Sequence, residues 1–276
     1  MSSGRSVGAR FLRSELRLVF GRRRNQMLLV ALAAAPVLIG VAVRLSSPTS
    51  AQGAPGFVAR ISQNGLFLVF TAMAVTLPVL MPLAVAVVAG DSIAGEAHSG
   101  TLRYLLVVPV ERTRLLVVKY VGIVTYGLVA AFVVAAAGWL TGLVLFPSGP
   151  VTLLSGDTVP YLDALGRAGL VALYAGAMLA GLAAIGLFLS TLTEVPIAAM
   201  ASIAGVPVVS EILDAVPALS AIHPYLFTHW WLAFGDLLRE PIATAGIRHG
   251  LGVQAVYIAI FGALAWARLT TKDVTS

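Results

Sequence analysis

The sequence predicts an all-α integral membrane protein with six transmembrane helices. Of its 276 residues, 59% are hydrophobic and only 11% are charged, whereas about a quarter of the residues in soluble domains are charged. The mean hydropathy is +0.94, and the charged residues lie between long apolar runs. The chain has no cysteine, which excludes disulfides and thiolate metal sites.

Residues 1–26 are predicted to form an amphipathic helix at the membrane interface. The segment contains seven arginines, and Arg10, Arg13 and Arg17 share one helical face. Apolar side chains between positions 11 and 20 occupy the opposite face, with Glu15 as an exception. This pattern is typical of a helix that lies along lipid headgroups; a solvated basic tail is the alternative.

Residues 27–276 are predicted to form the six-span domain. Apolar runs of this kind cross a hydrocarbon layer of about 30 Å as helices that rise about 1.5 Å per residue. The predicted spans are about Met27–Val43, Leu66–Ala89, Tyr120–Phe146, Ala168–Leu189, Ile197–Val209 and Leu251–Trp266. An external amphipathic segment, 211–249, precedes the last span.

The distribution of basic residues predicts the orientation. Thirteen of the eighteen Lys and Arg residues lie before the first span, between the second and third spans, or after the last one. Because cytoplasmic loops carry an excess of basic residues, both termini and the loop 90–119 are expected in the cytoplasm.

The loop 90–119 contains seven of the thirty charged residues and is the most informative stretch of the chain. Gly100 is expected to end the helix that continues from the second span. A short helix is expected to follow Gly100 and to end at Pro109. Leu102, Leu105 and Leu106 share one face of that short helix. Such a face suits docking onto another protein; a helix lying on lipid is the alternative.

This loop resembles the signature of ATP-binding-cassette (ABC) type-2 transporter permeases. The residues that carry the resemblance are Gly90-Asp91-x-Ile93-x-Gly95-Glu96, Gly100-Thr101-Leu102-Arg103-x-Leu105-Leu106 and Pro109-Val110-x-Arg112, followed by Lys119. The chain departs from the family pattern in one place, because Glu96-Ala97-His98 stands where the family often has Glu-Arg-Glu.

The resemblance implies the permease subunit of an exporter in the plasma membrane. A separate ABC ATPase, in two copies, would bind ATP and Mg²⁺, while this chain would bind no cofactor and be no enzyme itself. The resemblance also implies a second permease chain, identical or related, and re-entrant helices within 211–249. The residues expected to couple to the ATPase are Gly90, Asp91, Glu96, Gly100, Thr101, Leu102, Arg103, Leu105, Leu106, Pro109 and Arg112.

The second span is the main candidate for a substrate pathway. Pro78 and Pro82 predict a bent helix, which is either a passive kink or a pathway wall. The side chains expected to face a solute are Thr71, Met73, Thr76 and Met81. The second and fifth spans are expected to form the interface between two permease chains.

Two other functions are weighed against this one. An ion-coupled secondary transporter would need paired charges within the spans, and an intramembrane enzyme would need a polar catalytic group there; the sequence shows neither. It also has no phosphate-binding loop, no zinc-type histidine spacing and no basic aromatic motif for nucleic acid.

Overall fold

The computed structural model describes residues 3–45, 56–98 and 112–271 of the chain. Side chains are described from residue 10 in the first range and from residue 60 in the second. The central part of the predicted loop 90–119, residues 99–111, therefore lies outside the described residues.

The described part of the chain is almost entirely helical, as predicted. Six helices are long and apolar enough to cross a membrane. In chain order, the helices are α1 (Ser3–Gly21), α2 (Arg23–Leu45), α3 (Gly56–Gln63), α4 (Phe67–Thr76), α5 (Leu80–His98), α6 (Arg112–Leu145), α7 (Tyr161–Leu192), α8 (Pro196–Asp214) and α9 (Ala245–Thr271). The membrane-crossing helices are α2 and α5 to α9.

Helix α7 is the centre of the bundle. It packs against α5, α6, α8 and α9, and most of its length is buried. Its glycines allow this packing: a Cβ atom at Gly176 would collide with Leu128 of α6, and one at Gly186 with the Ala89 side chain of α5. The Ala- and Gly-rich fourth span is thus enclosed by other helices, because small residues allow close helix packing.

A second close approach joins α6 to the start of α4. The backbones of Gly65 and Gly142 touch, so that a Cβ atom on either glycine would overlap the backbone of the other. One turn earlier on α6, a Cβ atom at Gly138 would lie 3.1 Å from the Cα atom of Val69. Gly138 and Gly142, four residues apart on α6, therefore allow close packing against the beginning of the second span.

The second span differs from the single bent helix that was predicted. It consists of α4 and α5, separated by a turn over residues 77–79. The two prolines explain the break, because Pro78 and Pro82 have no amide hydrogen to donate to the carbonyl groups four residues earlier. The amide of Leu77 still donates to the Met73 carbonyl at 2.9 Å, so the helix ends at the first proline.

At the end of the bundle opposite the end of α5 and the start of α6, a β-hairpin packs with α3. A two-stranded antiparallel hairpin pairs β1 (Val151–Thr152) with β2 (Thr158–Val159). Arg60 of α3 donates to the Thr152 and Leu153 carbonyls at 3.3 and 3.0 Å. The connections between the first and second spans and between the third and fourth spans thus contain a helix and a hairpin, respectively.

The segment 211–249 does not form re-entrant α-helices. It begins as the last turn of α8 and continues as three short 3₁₀ helices, Pro217–Leu219, His223–Tyr225 and Trp231–Leu238. The third packs on α7 and α9, with Trp231 fully buried. Prolines at the start of the first two helices favour short turns over continuous α-helix.

Candidate functional site

The predicted coupling residues fall into two groups. Gly90, Asp91 and Glu96 lie on the last turns of α5, and Arg112 is the first residue of α6. These two helix ends hold the segment 99–111 between them. The other predicted coupling residues, Gly100, Thr101, Leu102, Arg103, Leu105, Leu106 and Pro109, lie outside the described residues.

Glu96 belongs to a buried ionic triad. Lys119 of α6 contacts both Glu15 of α1 and Glu96 of α5. Its ammonium group lies 3.0 Å from each carboxylate oxygen of Glu15. Lys119 and Glu15 are only 4% and 6% exposed. We call Glu15, Lys119 and Glu96 the triad; it ties three helices together at one point.

A glycine allows the helices of the triad to approach closely. A Cβ atom at Gly122 of α6 would lie 3.3 Å from the Cγ atom of Glu15 and 3.8 Å from Val19. Because a larger side chain at position 122 would press against the Glu15 side chain, glycine there brings α1 onto α6 at the level of Lys119.

Asp91 forms a second ionic group on the neighbouring face of α5. Its carboxylate pairs with Arg22 and Arg24, which flank the start of α2, the latter at 3.1 Å. The same junction is held by Asn25, whose side-chain amide donates to the Val19 carbonyl at 2.8 Å. Tyr126 of α6 donates to the Asn25 carbonyl at 3.0 Å.

The triad and the Asp91 group line one small cavity of about 30 Å³, room for about two water molecules. The three carboxylates and the three cations around it balance in formal charge. The acidic residues of the motif, Asp91 and Glu96, are therefore engaged within the chain itself.

The end of α5 is also fixed to α7. The Ser190 hydroxyl accepts from the backbone amides of Ile93 and Ala94 at 3.2 and 3.0 Å, and donates to the Gly90 carbonyl at 3.0 Å. Gly90 lies against Met200 of α8, where a Cβ atom would come within 2.7 Å of the Met200 side chain. Glycine at position 90 thus allows α8 to pack closely against α5.

The start of α6 is fixed to the end of α9. The Arg112 guanidinium donates to the Leu269 and Thr270 carbonyls at 3.0 and 2.9 Å. Next to it, the Trp266 indole donates to the Thr113 hydroxyl at 3.0 Å. Cations near the carboxyl end of a helix are favoured by its dipole. The two flanks of 99–111 therefore contact α1, α2, α7, α8 and α9.

The four residues expected to face a solute are mostly inside the chain. Met73, Thr76 and Met81 are fully buried, and the Thr76 hydroxyl donates to the Ala72 carbonyl at 2.7 Å. Thr71 is partly buried and bonds to the Phe67 carbonyl. The exposed face of α4 and α5 consists instead of Val75, Val79, Leu80 and Leu83.

Sequence reasoning missed Glu15, Arg22, Arg24 and Ser190 as parts of this site. One signal was available: Glu15 is a single carboxylate on the apolar face of α1, and a buried carboxylate requires a cation. Its partner Lys119 lies 104 residues away in the sequence, so the sequence did not identify it. Among the described residues, no group of three or more His, Asp or Glu side chains could hold a metal ion.

These features define a multi-pass integral membrane protein in which the two helix ends that flank residues 99–111 are bonded to most of the other helices. A comparison with protein families matches residues 22–197 to the ABC-2 family transporter proteins, and the chain belongs to this family. It is therefore an ABC transporter permease, and membership implies association with an ABC ATPase and pairing of permease chains in general. No curated protein matches the chain.

Proposed function

We propose that this chain is the permease subunit of an ABC exporter, in which a separate ATPase drives the segment 99–111. ATP and Mg²⁺ bind to the ATPase, present in two copies. Closure of the ATPase displaces the segment, and the displacement reaches the spans through α5 and α6. The chain carries no chemistry of its own; it converts closure of a partner into altered access across the membrane.

One observation carries this proposal: both flanks of 99–111 are fixed to other helices by buried or charge-assisted bonds. Glu96 and Asp91 hold the α5 flank, and Arg112 holds the α6 flank. Charge-assisted hydrogen bonds are about twice as strong as neutral ones. A force applied to the segment is therefore passed to the bundle instead of being absorbed by loose helix ends.

The experiment replaces Leu105 and Leu106, two of the apolar residues of the segment, with aspartate. The permease is co-expressed with each ABC ATPase subunit of the source genome and purified through a tag on the permease. We expect the wild-type chain to retain one ATPase and the double variant to lose it, because two carboxylates cannot enter an apolar groove without a large desolvation cost.

The matched control is Leu18→Asp. Leu18 of α1 is 54% exposed and lies outside the segment, so this variant is expected to retain the ATPase. Circular dichroism and gel filtration check that each variant is folded. Undiminished co-purification with the Leu105/Leu106 variant would refute docking through this segment.

We further propose that α1 lies in the cytoplasmic interface of the plasma membrane and that both termini are cytoplasmic. The support is the excess of basic residues on that side and the exposure of Arg10, Arg13 and Arg17 on α1, which suits anionic headgroups. Reporter fusions after Ser276 and within 150–160 are expected to report opposite sides of the membrane. The same side for both would refute the orientation.

The partner permease chain, identical or related, is proposed to pack on the exposed face of α4, α5 and α8. Helices α5 and α8 pack together, and both expose apolar side chains, among them Leu83 and Val209. Six spans rich in small residues enclose little space for a solute within one chain. A pathway between two chains removes this difficulty. Under this proposal, Thr71, Met73, Thr76 and Met81 reach a substrate only after α4 and α5 move away from their neighbours.

A further inference from the structure

An open groove runs along one side of α9, the last span. Its volume is about 900 Å³, and its lining on α9 extends from Arg248 to Ile260. Tyr225, the last residue of the second 3₁₀ helix, lines the same groove and is 72% exposed. The Tyr257 hydroxyl donates to the Tyr225 carbonyl at 3.2 Å. The short helix is therefore joined to α9 beside the groove.

The groove matches one leaflet of a membrane in length. The rise from Arg248 to Ile260 is about 18 Å, and the hydrocarbon of one leaflet is about 15 Å thick. The lining from position 252 to position 260 is apolar apart from the Tyr257 hydroxyl, and Val256 and Ile260 are more than half exposed. Because α9 begins at Ala245, the polar end of the groove lies at the start of the span, at the level of lipid headgroups. The apolar remainder has the length and character to hold an acyl chain.

Gly252 widens the groove. No atom of the described residues lies within 4 Å of the position that its Cβ atom would take, so helix packing does not require glycine there. Gly250 differs, since a Cβ atom at that position would lie 2.4 Å from the Tyr174 hydroxyl. Glycine is unfavourable inside a helix, and at position 252 the described chain does not use the space that it leaves. That space is available to a ligand.

The polar end of the groove carries a cation and a fixed imidazole ring. Arg248 is exposed, and its guanidinium forms no bond with another described residue. The Nδ1 atom of His249 donates to the Ala245 carbonyl at 2.8 Å, and the ring stacks on Trp230 with centroids 5.3 Å apart. With Nδ1 as the donor, Nε2 of the neutral ring is an acceptor. This end thus offers the five donors of a guanidinium to an anion and one acceptor to a hydroxyl group.

We propose that the groove is a binding site for an anionic phospholipid with a hydroxylated headgroup. The phosphate binds Arg248, a headgroup hydroxyl donates to Nε2 of His249, and one acyl chain lies along α9. Arginine binds phosphate through paired, charge-assisted hydrogen bonds. Selectivity comes from the headgroup, because lipid chains are as apolar as the lining and gain little by entering it. The inference depends only on insertion in a membrane and goes beyond the proposed coupling to an ATPase.

A second permease chain is a less suitable occupant of the groove. The surface proposed for pairing lies on α4, α5 and α8, whereas α9 packs on α6, α7 and the third 3₁₀ helix. A protein partner would also bury the Arg248 guanidinium, which is costly without a counter-charge. Beside a lipid, the long side chain keeps its charge among headgroups and water while its stem lies on apolar surface.

The test measures which lipid lies beside the groove in the purified permease. Because the native chain has no cysteine, a bimane fluorophore is attached to Ala255→Cys, an exposed position on α9 outside the lining. The protein is reconstituted in phosphatidylcholine with increasing mole fractions of phosphatidylglycerol or phosphatidylcholine that carries brominated chains, which quench bimane on contact. We expect brominated phosphatidylglycerol to reach half-maximal quenching at about one tenth of the mole fraction that phosphatidylcholine requires, the scale of a hydrogen bond to a charged group.

A second label position shows whether the preference belongs to the groove. Leu173→Cys places bimane on α7 at an exposed position. Position 173 lies 12 residues after the start of α7, and position 255 lies 10 residues after the start of α9, so the two labels have a similar depth. We expect both brominated lipids to quench the label on α7 at the same mole fraction.

Two variants, each combined with the label at position 255, test the two ends of the site. Arg248→Gln removes the charge that binds the phosphate and is expected to abolish the preference for phosphatidylglycerol. Arg239→Gln is the matched control, because Arg239 is exposed and pairs with Asp236 at 3.9 Å outside the groove; it is expected to keep the preference. Gly252→Leu fills the apolar part and is also expected to abolish the preference, although the charge at position 248 remains.

The possible outcomes decide the proposal. The open space around position 252 makes Gly252→Leu compatible with the fold, and gel filtration and circular dichroism check each variant. Half-maximal quenching of wild type at the same mole fraction of both lipids would overturn the site. A preference that survives Arg248→Gln would overturn the phosphate contact, and one that survives Gly252→Leu would overturn the position of the chain. A label at position 255 that neither lipid quenches would mean that another protein chain covers the groove, which would also overturn the proposal.

Discussion

Replacing Lys119 with methionine should destabilise the protein strongly. Lys119 is 4% exposed and is shared by Glu15 and Glu96. Methionine fills a similar volume but leaves two carboxylates without their common cation. Removing one partner of a buried pair typically costs about 3–5 kcal/mol, and we expect the free energy of unfolding to fall by about that amount.

Removing all three charges should be less harmful than removing one. The triple variant Lys119→Met, Glu15→Gln, Glu96→Gln has no uncompensated charge. Replacing a whole buried ionic group by uncharged residues of similar volume often changes the free energy of unfolding little. We therefore expect it to recover much of the stability that Lys119→Met loses. This recovery of stability in the triple variant is an effect of electrostatics and not of packing.

The assay is equilibrium unfolding in mixed detergent micelles at increasing SDS, followed by tryptophan fluorescence. Arg114→Met is the matched control, since Arg114 lies on the same helix and is only partly buried; its expected effect is within about 1 kcal/mol. A triple variant as unstable as Lys119→Met, or a Lys119→Met variant as stable as the control, would refute the reasoning.

Two further predictions concern helix contacts. Gly142→Ala should destabilise the chain, since its methyl group would overlap the backbone of Gly65. Gly205→Ala, with open space around it, should be neutral or slightly stabilising because alanine favours helix by about 1 kcal/mol. Thermal unfolding in detergent compares the two variants, and equal effects would contradict the close contact. The second prediction concerns the pairing of permease chains. A single cysteine at the exposed position of Val79 should cross-link two chains, whereas one at the buried position of Met81 should not. Non-reducing electrophoresis measures the cross-linked fraction, and equal yields would count against the proposed interface.

The number and order of the spans could be predicted because hydropathy reports them directly. A long apolar run must form a helix in lipid, where each backbone polar group needs an internal partner. The six predicted spans correspond to α2, to α4 with α5, and to α6, α7, α8 and α9 in turn. The prediction was wrong about the continuity of the second span, since composition does not tell whether a proline bends a helix or ends it.

The candidate site was harder to predict, because it is formed by residues far apart in the sequence. The motif residues could be read from the loop 90–119, but Glu15 and Lys119 are joined only by the packing of α1 on α6. Ser190 carries no signal, since a serine at the end of an apolar helix is common. Its role depends on the backbone of α5, which no local pattern reveals.

The break between α4 and α5 has a consequence for the solvation of the span. At Pro78 the ring removes the donor that the Ala74 carbonyl would have in a regular helix, and the same holds at Pro82 for the carbonyl of Pro78. Hydrocarbon offers these oxygens no donor. If this span lines the proposed pathway, a water molecule or a polar part of a substrate can donate to these carbonyl groups beside the exposed Val75 and Val79.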